Sequence, residues 1–417
     1  MKIVFIILFF LTTLFSVAQD NKEKSKKEEY KLSATIKTVR GQLKDKKYSN
    51  ANDEVKKAVK DHEEARKSAH LYALQVQALH SLVLDENKKM YLNQKPDTSK
   101  YLNLIYSLYE SALICDSLDV LPNAKGKVDI KYRDTNQQRI LQFRKNLSTA
   151  DKYFYQKKDL KNAYKFADLY LSTKSAKIFD TPKGQQAISS EKDSVVHASL
   201  AVFLAYANNN NKGVTKYLSI AMNDTARLAQ LLEVGANSYY ALGDTAAAHE
   251  LLFKGVQTYP TNNVFYMTLL KYFNARAEYD KALELVDTVL IHMPDDRNCL
   301  FLKAKELEYM KQYDKALGVL QQIVKTNAED TEAYSNIGSI NLILAREAYS
   351  KFNLKVTDQG YAKGKQEISN YYKSAMQALE NCRKYAEKNT DLWLAGLREC
   401  YYKLNMGKEL KQLEKIK

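Results

Sequence analysis

Proline and glycine are scarce in this 417-residue chain, at 5 and 13, which suits long helices joined by short connections and leaves little room for hairpin turns. Cysteine numbers only four. Cys115, Cys299, Cys382 and Cys400 are widely spaced and form no Cys-x-x-Cys, so neither a metal site nor a redox pair is framed. All four fall within apolar helical runs, where a thiol acts as a small core residue. Cys382 and Cys400 are the one pair expected on neighbouring helices, and sequence spacing does not decide whether they bridge. Tryptophan occurs once against 30 tyrosines. Tyrosine fills helix interfaces while its hydroxyl reaches water or a carbonyl, as many thin, repeated interfaces require. A Gly-rich phosphate loop, His-Glu-x-x-His and Gly-x-Ser-x-Gly are all missing, so no enzyme activity and no cofactor are expected.

A single compact core rarely grows to this length, so several domains or one elongated stack are expected. Past the N-terminus no apolar stretch approaches the roughly 20 residues that span a bilayer. The N-terminus itself reads as an export signal: Lys2, the apolar run Ile3 to Phe15, then Ser16-Val17-Ala18 as a small-residue cleavage site. The mature chain is expected to start at Gln19, outside the cytoplasm, in the periplasm or associated with the envelope. No cysteine follows the apolar run until Cys115, so no lipid anchor is expected there. Residues 19–31 are a charged lead-in without the apolar content to fold. Lys and Arg total 64 against 49 Asp and Glu, a net +15 that becomes +14 once Lys2 is removed. Export argues against nucleic acid as the partner, and Lys is read chiefly as the solvated face of helices.

Self-similarity sets the architecture. Leu232, Ala236, Tyr239, Ala248, Leu252, Gly255 and Pro260 recur 34 residues later as Tyr266, Leu270, Phe273, Ala282, Val286, Val289 and Pro294. After a further 34 residues come Leu300, Ala304, Leu307, Ala316, Leu320, Ile323 and Ala328. Within a unit the first three positions are four and three apart, on one face of a first helix, and the next three repeat that spacing on a second. The turns between contain Gly243-Asp244, Glu278-Tyr279-Asp280 and Gln312-Tyr313-Asp314, whose Asp is expected to cap the second helix. Ala248, Ala282 and Ala316 let the two helices approach closely.

These units resemble the tetratricopeptide (TPR) family, and the resemblance implies an all-α fold, a right-handed superhelix of antiparallel helix pairs. A regular array is expected over 194–388, in units 194–227, 229–262, 263–296, 297–330 and 331–388, the last with an insertion at 345–370. Before it lies an irregular TPR-like half, 32–193, with long loops at 88–99 and 118–134. After it, 389–417 reads as capping helices. Met90-Tyr91-Leu92-Asn93-Gln94-Lys95-Pro96-Asp97-Thr98, the Pro122–Gly126 turn and Gly243-Asp244-Thr245 are similar to stretches of exported bacterial TPR proteins, which implies location and architecture more than a job.

With chemistry absent, surface remains. His62, His70 and His80 read as surface or interface residues, so no metal site is expected. Glu63-Glu64 and Asp295-Asp296 read as helix-end capping and not as acid and base groups. The resemblance implies that first-helix residues line a groove, here Asn237 and Tyr240, then Met267, Lys271 and Asn274, then Phe301 and Lys305. The Lys-Asn clamp that some TPR proteins use on a terminal carboxylate lacks its basic residues: Glu233 with Asn237, Thr268, and Asn298 with Leu302 stand there. The expected function is therefore a non-enzymatic scaffold that binds other envelope proteins in the groove. The alternative is an accessory protein that binds an anionic glycan or cell-wall polymer through the basic loop residues Lys125, Lys127, Lys131 and Arg133.

Overall fold

The computed structural model describes residues 30–92, 94, 97–122 and 126–416, and every regular element among them is helical. The export signal and nearly all of the charged lead-in lie outside the described residues. The chain divides into two compact units, Met1–Leu147 with Ser175–Ile188, and Ser148–Lys174 with Ser189–Lys417.

In the first unit, α1 (Leu32–Lys44) and α2 (Tyr48–Asp61) bury Val39, Leu43, Ala51, Val55 and Ala58 against each other. A single turn, α3 (Glu63–Arg66), leads to two long helices, α4 (Ala69–Tyr91) and α5 (Thr98–Asp119). The long loop expected at 88–99 is shorter than its sequence suggested. Helix α4 runs on to Tyr91, and the Asp97 side chain caps α5 by accepting from the Lys100 N–H at 2.9 Å. The 118–134 segment ends pinned: Asp119 Oδ2 accepts from the backbone N–H groups of Lys131 and Tyr132 at 2.8 and 2.7 Å, just before α6 (Arg133–Leu141). The buried Gln137 of α6 donates to the Ile178 carbonyl at 2.6 Å, fixing α6 to the returning piece of chain. Most of α7 (Arg144–Gln156) and all of α8 (Leu160–Ser172) belong to the second unit, and nearly all of α9 (Pro182–Ser189) to the first.

The second unit continues as α10 (Ser194–Ala207) and α11 (Asn211–Ala221), α12 (Leu228–Ala241) and α13 (Thr245–Thr258), α14 (Asn263–Ala275) and α15 (Tyr279–His292), then α16 (Arg297–Tyr309) and α17 (Tyr313–Thr326). Its last helices are α18 (Thr331–Lys351), α19 (Tyr361–Tyr385), α20 (Leu394–Lys403) and α21 (Gly407–Leu413). The repeat columns become its core. Leu232, Ala236, Ala248, Leu252, Leu270, Val286, Val289, Ala304, Leu307, Ala316, Leu320 and Ile323 are all buried. Tyr239 is half-exposed, and the last column, Pro260, Pro294 and Ala328, stays outside the core. A Cβ on Gly255 would stand 2.4 Å from the Phe265 ring, so this column is glycine where the next helix brings an aromatic ring.

Each tight turn inside a pair closes in the same way. Asn209, Gly243, Ala277 and Lys311 have φ of +55, +82, +56 and +57°, at strict 34-residue intervals. The N–H after each reaches back five residues, as from Asp244 to the Tyr239 carbonyl at 2.9 Å and from Gln312 to Leu307 at 2.8 Å. This is the left-handed C-terminal closure of a helix, and it recurs at Lys46, Lys158 and Asn405. The capping expectation needs correction. Asp244 accepts from the Ala247 N–H at 3.1 Å and caps α13. Asp280 and Asp314 instead lie inside the first turns of α15 and α17, after the cap residues Glu278 and Gln312, where a carboxylate favours the helix dipole without capping.

The expected insertion at 345–370 is mostly helix. It lengthens α18 to 21 residues and α19 to 25, leaving only residues 352–360 between them. The last pair, α20 and α21, packs Trp393, Leu397, Cys400, Tyr401 and Leu413 onto Leu342, Tyr372, Leu379 and Cys382. All four cysteines are buried free thiols. Burial pushes Cys382 up to about 11 and Cys400 to about 12, which keeps both protonated and unreactive.

Candidate functional site

Successive first helices α14 and α16 present repeat-equivalent residues side by side, because a 34-residue step returns the same face. Met267 and Phe301, one step apart, line one hollow of about 340 Å³ together with Asn263, Tyr266, Asn298 and Leu302. Arg297 and Glu332 close its edge. The Arg297 guanidinium lies 4.4 Å from the Phe301 ring centroid and bonds Asp330 through Nε at 2.5 Å and Nη2 at 3.0 Å. Its Nη2 also donates to Glu332 at 2.8 Å. Two carboxylates thus satisfy the hollow's arginine. Asp330 is buried, and the Arg297 hydrogen bonds hold its carboxyl below the usual carboxylate range.

The other expected groove residues divide. Asn237 and Lys271 are exposed, and Lys271 has no carboxylate within salt-bridge distance among the described residues. Lys305 is exposed but bound to Glu308 at 3.1 Å. Asn274 faces inward: its amide Nδ2 donates to Glu306 Oε1 at 2.8 Å. Tyr240 does not join the hollow; its ring meets His249 edge-on at 5.8 Å, and His249 in turn meets Tyr272 at 4.3 Å. The histidine on α13 offers that ring an apolar flank, which the spacing of the first helices alone does not reveal.

The basic loop is largely engaged. Arg133 forms a two-pronged pair with Asp116, at 2.7 and 3.0 Å, and Lys131 bonds Asp129 at 3.2 Å. Lys127 is exposed, and Lys125 lies outside the described residues. His70 Nδ1 lies 2.5 Å from the Tyr132 hydroxyl, His80 Nε2 lies 3.3 Å from Gln142 Oε1, and His62 stacks on Tyr30 at 3.7 Å. Among the described residues no group of three or more His, Cys, Asp or Glu converges on a metal position. Asp296 caps α16 by accepting from the Cys299 N–H at 2.8 Å.

One cavity escaped the sequence entirely. At the end of α18, along α19 and at the α20–α21 turn lies an open cleft of about 1050 Å³, bounded by Tyr349, Phe352, Tyr361, Tyr372 and Met406. The available signal was the aromatic run Tyr349, Phe352 and Tyr361 inside what read as an insertion.

The recurring turns at 34-residue intervals, with buried small-residue columns in each pair, define a regular helix-pair repeat. These helix pairs resemble tetratricopeptide repeats. No protein-family model matches the chain, and no curated protein matches it. Solved structures do. A TPR-repeat protein from Bacteroides fragilis aligns at 16% identity over 62% of this chain and 98% of its own, with a TM-score of 0.32. The C-terminal part of a TPR repeat-containing protein from Cytophaga hutchinsonii aligns at 13% identity over 58% and 93%, with a TM-score of 0.32. MamA from Desulfovibrio magneticus RS-1, from residue 41 to its end, aligns at 14% identity over 48% and 98%, with a TM-score of 0.31. Among the described residues no helix is long and apolar enough to cross a membrane.

Proposed function

We propose that this TPR chain is a non-enzymatic protein-binding scaffold of a bacterial cell envelope, and that it seats partner proteins against the face carrying Met267 and Phe301. The observation that carries the reading is the hollow those two residues share. Large apolar side chains left half-buried on successive first helices, outside the buried repeat columns, mark contact surface. Unpaired Lys271 adds a basic edge, so a partner offering apolar and acidic groups together fits best. Export is supported by the signal pattern of residues 1–18. The anionic-polymer alternative draws little from the loop, because Arg133 and Lys131 already hold carboxylates.

Photo-crosslinking in intact cells tests the reading. A benzophenone residue at Met267 or Phe301 should give a protein adduct, and the same group at exposed Gln321 on α17 should not. Met267→Glu with Phe301→Glu should abolish capture while helicity and melting temperature stay nearly unchanged. The purified envelope form should have the intact mass of a chain starting at Gln19. Adducts that arise only from Lys127, with none at Met267 or Phe301, would move the function to the loop. Retention of residues 1–18 would remove the envelope assignment.

A further inference from the structure

The cleft at the C-terminal end is separate from the Met267–Phe301 hollow and is built differently. Helices α18 and α19 are one and a half to two times as long as the 13- or 14-residue helices of the preceding pairs, while α20 and α21 span 10 and 7 residues. The short last pair therefore covers only part of the wall that α18 and α19 raise. The remainder is the cleft, about 1050 Å³ and open on one side. That volume stands at the top of the roughly 300–1,000 Å³ range of small-molecule sites.

Its floor and its rim differ in character. Phe352, Leu354, Ile368, Met376, Leu404 and Met406 supply an apolar floor, too extensive for a hydrated sugar chain. The two methionines give that floor a polarizable, adaptable surface of the kind used by grooves that accept helices of varied sequence. Around it stand Lys365, Lys373 and Lys403, all exposed and none with a carboxylate partner among the described residues. Lys403 is held over the Tyr349 ring at 4.6 Å and Lys365 over Tyr361 at 6.0 Å, so two of the ammonium groups are positioned by aromatic faces. Tyr349 itself is 57% exposed. The one carboxylate lining the cleft, Glu380, accepts the Tyr401 hydroxyl at 2.7 Å. An apolar floor ringed by three unpaired lysines against one carboxylate calls for an occupant with an apolar stripe and acidic flanks.

We infer that this cleft binds an acidic amphipathic helical segment of a partner protein, laid with its apolar face on the Met376–Met406 floor and its carboxylates toward Lys365, Lys373 and Lys403. The site stands independently of the hollow on α14 and α16.

The test uses the full mature chain and a fluorescent helical peptide of repeating Leu and Glu, with its Lys-for-Glu counterpart and vesicles of phosphatidylglycerol as comparisons. The acidic peptide should bind at least tenfold more tightly than the basic one and weaken as salt rises. Lys365→Glu with Lys373→Glu and Lys403→Glu should cost at least tenfold in affinity without moving the melting temperature. Tyr349→Ser should weaken binding while leaving every charge in place. Met267→Glu with Phe301→Glu should leave peptide binding intact, so failure of the hollow and failure of the cleft are read separately. Equal binding of both peptides, or full binding by the triple lysine variant, overturns the inference. Vesicle binding that the triple variant abolishes, with no peptide binding, would assign the cleft to a membrane surface and also overturn it.

Discussion

Glu306 shows how the repeat face uses one polar position. It is 1% exposed on α16 and accepts from Asn274 on α14, yet Glu306 Oε2 and Asn274 Oδ1 are both buried with no partner among the described residues. Two orphaned acceptors on side chains that already touch are best satisfied by a proton on the carboxyl, which turns one acceptor into a donor. Burial raises the Glu306 carboxyl above its ordinary 4.5, against the opposing pull of the Asn274 hydrogen bond and Lys305. The folded state therefore binds this proton more tightly than the unfolded chain. Stability falls as pH climbs from about 4.5, and the loss is complete once pH passes the raised folded value. Glu306→Gln keeps the acceptor and supplies the missing donor permanently. Its melting temperature should match the parent near pH 4 and exceed it by several degrees at pH 8. A difference that stays constant across that range would show that folding leaves the proton affinity of the carboxyl unchanged.

At the scale of the element, the left-handed turn is what sets successive pairs to one pattern. Four positions at strict 34-residue spacing adopt positive φ, and only Gly243 is a glycine. A side chain in this region costs roughly 1–2 kcal/mol, partly offset because glycine loses more freedom on folding. Lys311→Gly should therefore stabilise by about 1 kcal/mol, and Gly243→Val should destabilise by more than that. Urea melts of both variants check the pair, and a Lys311→Gly midpoint below the parent would mean the turn is not the shared left-handed one. These turns explain what the sequence disclosed. The helix pairs were legible because buried columns must keep their size, as at Ala248, Ala282 and Ala316. The left-handed conformation of their turns was not, since Asn, Gly, Ala and Lys share no property at that position. The α18–α19 extension was missed for a related reason: its residues pack against each other outside the 34-residue frame, so no column marks them. Met267 and Phe301 were legible because the 34-residue step pairs them, whereas Tyr240 was lost to His249, a neighbour on a different helix. The large cleft depends on where α20 and α21 stop, a property of the whole stack.

At the scale of the molecule, stability in a repeat array is a sum of pair stabilities and nearest-neighbour interfaces, so an end pair, with a neighbour on one side only, opens before the middle. The chain provides a reporter for this. Its single tryptophan, Trp393, is 1% exposed at the start of the last pair, its indole N–H donating to the Ala386 carbonyl at 2.9 Å. Arg383 stands over its ring at 5.2 Å. Fluorescence therefore reads the C-terminal end alone, while far-ultraviolet circular dichroism reads all helices together. That end is also the thinnest part of the unit, because α20 and α21 together supply 17 residues to cover α18 and α19 (10 + 7). In urea the fluorescence transition should come first, at a lower midpoint than the loss of helicity, and the two curves should not superimpose. Arg398 donates to the carbonyls of Leu413 and Ile416, both at 2.9 Å, and so ties α20 to the last residues of the chain. Arg398→Ala should widen the gap by moving the fluorescence midpoint alone. Superimposed curves in the parent chain, or a variant that shifts both midpoints equally, would mean that the last pair opens only with the body of the unit.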